Sequence, residues 1–117
     1  MDTTNLPKIG VDYALTEQFI CNGTGSPAIT LSGLPAGVVS YDVRMTDLDS
    51  PSYRHWKETI ASQEAVIPAG KGSHYSGPGC PPNGHRYRIS VLARNAQQQP
   101  IGYGEKTITA ERARGAR

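Results

Sequence analysis

Three segments place polar groups where the backbone is stiffened by proline or bent by glycine. They are Asp47-Leu48-Asp49-Ser50-Pro51, Arg54-His55-Trp56, and the run Tyr75-Ser76-Gly77-Pro78-Gly79-Cys80-Pro81-Pro82-Asn83-Gly84-His85-Arg86-Tyr87. A phosphate monoester needs hydrogen-bond donors, and His85 with Tyr87, joined by backbone N–H groups around Gly77 and Gly84, supplies several in one place. A carboxylate beside an anion makes sense if Asp47 accepts the N–H of an imidazole, which fixes the tautomer and favours the cationic ring that faces the phosphate. Asp47 can equally receive an ammonium group, and the sequence leaves both roles open.

Each segment also has a plainer reading. Asp-x-Asp-x-Pro alone is most often a turn whose Asp side chains bond their own backbone. As a calcium loop it fits only in part: Asp47, Asp49 and Glu58 fall at positions 1, 3 and 12, but Pro51 occupies a ligand position and Ser52 that of the required glycine. Cys80 sits between Gly79 and Pro81 with no helix N-terminus to activate it, and no Gly-x-Ser-x-Gly elbow occurs, so no catalytic residue is expected and the chain reads as a non-enzyme. Cys80, His85, His74 and His55 lack the paired spacing of a zinc site, so neither metal nor cofactor is expected. Gly23-Thr24-Gly25-Ser26-Pro27 has no Lys-Ser/Thr after it, which excludes a Walker loop. Arg86 reads as an ion-pair partner in preference to a ligand contact. Asn22-Gly23-Thr24 is a glycosylation sequon, expected to go unused.

The elements that must carry these groups are strands. In Val38–Thr46, Val39, Tyr41, Val43 and Met45 alternate with Ser40, Asp42, Arg44 and Thr46, and in Arg86–Arg94, Tyr87, Ile89, Val91 and Ala93 share a face. Both patterns describe half-buried strands. Ala28–Leu31 and Ile101–Ile108 read as further short strands, separated by Gly33-Leu34-Pro35-Ala36-Gly37 and by Asn95–Pro100. Only Glu58–Val66 suggests a helical turn or two. The expected architecture is an all-β antiparallel two-sheet sandwich or small barrel with little helix. Asp47 and Asp49 then follow one strand, while His85 and Tyr87 open another, so all four sit at sheet ends, where a rigid scaffold positions loops.

Size and composition agree. The chain has 117 residues, enough for one domain (1–117), with 1–8 and the Arg-rich 111–117 expected as flexible tails. Gly and Pro number 13 and 9, which favours short elements joined by many turns. Residues 1–53 carry six acids and two bases, and 54–117 ten bases and four acids. Because those bases are scattered along the sequence, nucleic acid is not an expected partner. No apolar run approaches the ~18–20 residues of a membrane span. The start lacks the basic and apolar regions of a signal peptide, so a cytoplasmic location is expected. Two cysteines, Cys21 and Cys80, are too few for a disulfide framework, though a bridge between them stays open.

Cys21-Asn22-Gly23, Ser26-Pro27-Ala28-Ile29-Thr30-Leu31-Ser32-Gly33-Leu34-Pro35, the Asp-x-Asp-x-Pro motif at 47–51, His55, and the Gly77-to-Tyr87 run together resemble the phosphatidylethanolamine-binding protein family. The resemblance spans roughly residues 19–110 and is nearest to the short bacterial branch labelled kinase-inhibitor-like or phospholipid-binding. It implies a larger and a smaller antiparallel sheet with a small pocket at one end for phosphate-type anions. Carried over position by position, that pocket would be built from Asp47, Asp49, Pro51, His55, Pro82, His85 and Tyr87. The implied partner is a phosphate-type small ligand or phospholipid head group. The alternative is a protein-interaction module that regulates a kinase or another enzyme and keeps only a vestigial pocket. The sequence departs from the family at Leu48, where most relatives have proline, in a shorter Ser62–His74 stretch, and in having no counterpart of the C-terminal helix that borders the pocket.

Overall fold

Tyr41, Val43 and Met45 are almost fully buried while Arg44 between them is exposed, as a strand with one face on the core requires. A computed structural model describes residues 5–13, 26–49, 54–71 and 85–110. Seven strands run in chain order: β1 (Gly10–Asp12), β2 (Ile29–Ser32), β3 (Ser40–Asp47), β4 (Arg54–Ala61), β5 (Val66–Ile67), β6 (His85–Arg94) and β7 (Pro100–Ala110). They form a four-stranded sheet of order β4-β3-β6-β7 and a three-stranded sheet of order β1-β2-β5, with every strand pair antiparallel. Among the described residues there is no helix.

The expected helical turn at Glu58–Val66 is a correction. Glu58–Ala61 continues β4, and Val66 begins β5. The charged Lys57-Glu58-Thr59 hides the strand because β4 is an edge: Lys57 and Thr59 are exposed, while Trp56 and Ile60 face the core. Pro7 and Lys8, expected within a flexible tail, are bonded to the other edge. The Tyr103 N–H donates to the Pro7 carbonyl, and the Ile9 N–H to the Tyr103 carbonyl, both at 3.0 Å. From there the chain enters β1, so residues 7–12 link the two sheets.

The core lies between the sheets. Ile29, Leu31 and Ile67 from the smaller sheet meet Tyr41, Val43, Met45, Trp56, Ile60, Ile89, Val91 and Ala93 from the larger, with Ile9, Tyr13 and Val38 closing the sides. The link crosses β7 at Gly104, where a side-chain Cβ would fall on the carbonyl oxygen of Ile9. Gly104→Ala is therefore expected to lower stability by about 1–3 kcal/mol, the usual range for overpacking. A thermal melt checks this, and an unchanged midpoint would mean the link is not seated on β7.

Candidate functional site

β3 ends on Asp47, which continues the inward row of Val43 and Met45 and is only 4% exposed. A carboxylate so placed needs donors, and the local sequence supplies them. The Asp49 N–H donates to Asp47 Oδ1 at 2.8 Å, the Asx turn that Asp-x-Asp favours. Tyr87, the register partner of Asp47 on β6, brings its phenol under the influence of that carboxylate's charge. Tyr87 is itself buried, and its carbonyl accepts a 2.7 Å hydrogen bond from the Tyr13 hydroxyl, which reaches across from the residue after β1.

Asp49 clamps the turn from outside. Its Oδ2 accepts the Arg86 backbone N–H at 2.7 Å, and its Oδ1 lies 3.1 Å from Arg86 Nη2. The Leu48 N–H donates to the Arg86 carbonyl at 2.8 Å. The turn after β3 and the start of β6 thus form one hydrogen-bonded unit. Arg86 is the ion-pair partner expected of it, and the carboxylate beside it raises the guanidinium pKa. Asp49, expected as a ligand contact, has its carboxylate engaged with Arg86, so what it does in this structure is hold the turn.

The Arg54-His55-Trp56 segment arrives through a register irregularity. Met45 pairs with Trp56 but Thr46 pairs with Arg54, so His55 is the extra residue of a β-bulge. Bulges re-aim side chains and are common beside functional sites. Trp56, next in the chain, is fully buried and anchors the bulge, its indole N–H donating to Glu58 Oε1 at 2.9 Å. His85 begins β6 two positions before Tyr87. Positions 47, 55, 85 and 87 therefore meet at one end of three neighbouring strands. Pro51, Pro82 and the 75–84 run with Cys80, like Cys21 and the tail 111–117, lie outside the described residues. Tyr13 is the member that sequence reasoning missed, since a lone tyrosine after a three-residue strand carries no local signal.

Burial and the charge of Asp47 push the Tyr87 phenol up to about 12, and burial also raises that of Tyr13. An unfolded tyrosine ionises near ~10, so the folded state holds these protons more tightly than the unfolded chain does. Their contribution to stability is fully present below about pH 10 and is lost as pH rises toward 12. A base titration is expected to show tyrosinate absorbance and loss of the β-sheet dichroism rising together in that window. Complete tyrosine ionisation near pH ~10 in a still-folded chain would contradict the buried Tyr87–Asp47 pair.

A sequence profile of the phosphatidylethanolamine-binding protein family matches residues 5–115. The chain belongs to this family. Among solved structures it is similar to the crystal structure of E. coli YbcL, described as a new member of the mammalian PEBP family. The two are 20% identical, with 91% of this chain and 98% of that one covered and a TM-score of 0.64. That likeness shows a shared fold, in agreement with the two antiparallel sheets. A search of curated proteins found no matching sequence. Membership of the phosphatidylethanolamine-binding protein family points to ligand binding or regulation as the general role. No helix among the described residues is long and apolar enough to cross a membrane, and no group of three or more His, Cys, Asp or Glu among them is placed to hold a metal ion.

Proposed function

We propose that this chain is a non-catalytic binding protein for a small phosphate-type anion, free or as a lipid head group, held at the end of the larger sheet. The observation that supports the reading best is the convergence of positions 47, 55, 85 and 87, secured by the Asp47–Tyr87 register pair and the β4 bulge. In this reading the imidazoles of His55 and His85 face the anion, and Asp47 supplies the negative charge that favours their protonated form. Tyr87 and Asp49 keep Asp47 in place, and Pro51 and Pro82 form the rim.

The test is a chemical-shift titration of the labelled chain with inorganic phosphate and with phosphoethanolamine. Shifts concentrated at Asp47, His55, His85 and Tyr87 are the expected result. Shifts with phosphoethanolamine alone would assign the site to the head group. No shift with either would leave the family resemblance describing only the fold.

A further inference from the structure

A concavity also lies away from the Asp47 end. It is an open hollow of about 770 Å³ on the outer face of the larger sheet, with Arg44, Lys57, Ser90, Leu92 and Tyr103 among its walls. Bases that are scattered in the sequence gather here. Lys57 on β4 is the register partner of Arg44 on β3, and Arg44 is the partner of Ser90 on β6, which places Arg88 on the diagonal. Arg44 and Lys57 are exposed and Arg88 is half-buried.

Like charges directly opposite each other on a sheet are destabilising, so an arrangement of this kind is not explained by the fold. The acids around it have other hydrogen-bond partners, Glu58 accepting the Trp56 indole N–H at 2.9 Å. Asp42 accepts from Thr59 at 2.8 Å and from Arg94 at 2.7 Å, and Glu105 accepts the Tyr103 hydroxyl at 2.8 Å. Arg44, Lys57 and Arg88 have no ion pair among the described residues.

We propose that this face docks an extended acidic segment of a partner protein, with carboxylates at alternate positions meeting Arg44, Lys57 and Arg88. The spacing supports that occupant. Alternate side chains of an extended chain lie about 7 Å apart, and diagonal neighbours on a sheet, such as Arg44 and Arg88, about 7–8 Å. The guanidinium fork of arginine matches a carboxylate bidentately. A flat lipid surface reaches poorly into a hollow, and a long polyanion would meet Asp42 on one side of the tract and Glu105 on the other. The proposal concerns a different face from the anion site and is independent of it.

A peptide alternating Glu with Val and Thr, titrated into the labelled full chain at low salt, tests it. Amide shifts should centre on Arg44, Lys57 and Arg88, vanish when Gln replaces Glu in the peptide, and be unaffected by added inorganic phosphate. Lys57→Glu should weaken binding at least tenfold while the melting temperature holds or rises, because a carboxylate opposite Arg44 turns repulsion into attraction. Arg44→Gln should weaken binding similarly. Unchanged affinity in both variants, shifts at the Asp47–Tyr87 end, a fall in melting temperature that accompanies the lost binding, or tighter binding of anionic vesicles or an oligonucleotide than of the peptide would each overturn the proposal.

Discussion

Trp56→Ala is expected to cost about 3–5 kcal/mol, the range for removing a large buried aromatic. Trp56 is fully buried and belongs to the only described strand carrying a bulge beside the site, so the loss falls on both stability and function. Domains of this size are stable by only about 5–15 kcal/mol, and the variant would therefore sit close to unfolding at ordinary temperature. Denaturant unfolding followed by circular dichroism reads the effect directly, with Trp56→Phe expected to lose much less because most of the packed volume remains. With the anchor gone, the His55 bulge is no longer fixed against Met45 and Thr46, so phosphate affinity should fall in Trp56→Ala even where the chain is still folded. A folded variant of full stability would show that Trp56 does not set the edge strand.

The second large effect is expected from Asp47→Ala. The Asp49 N–H would lose the acceptor that closes the turn, beside the buried Tyr87 phenol. Such a loss costs about 1–3 kcal/mol, and Asp47→Asn should do less harm because an amide oxygen still accepts. Urea unfolding of the two variants checks the order. Equal stability of Asp47→Ala and the parent chain would mean that the carboxylate is not the hub of the turn.

Much of this was readable in the residues, for physical reasons. Tyr41, Val43 and Met45 alternate cleanly because β3 lies in the middle of its sheet with one face buried, and the same period carries Asp47 inward. Tyr87, Ile89, Val91 and Ala93 identify β6 in the same way. β4 escaped notice because an edge strand buries little, and the inserted His55 shifts the alternation just before Trp56. One extra residue flips every later side chain to the opposite face, which a pattern read from one strand alone does not reveal. The Asp49–Arg86 clamp joins residues 37 positions apart, and the Tyr13–Tyr87 bond residues 74 apart. Such contacts follow from topology, so the sequence showed Asp49 as one more acid of the motif and did not show Tyr13 at all.

The pH dependence of phosphate affinity tests the anion site most directly. Histidine loses its charge near ~6.5 when unperturbed, and a neighbouring carboxylate raises that value, so binding should weaken on the alkaline side as the imidazoles become neutral. Phosphate gains its second charge near pH ~6, which strengthens binding as pH rises, and the two trends produce a maximum between them. Calorimetric titrations across this range are expected to show such a peak, and His85→Ala should remove its alkaline limb and weaken binding by about 1.5–3 kcal/mol, the worth of a hydrogen bond to a charged group. An affinity that is flat with pH, or a profile that His85→Ala leaves unchanged, would contradict a histidine-centred anion site at the end of the larger sheet.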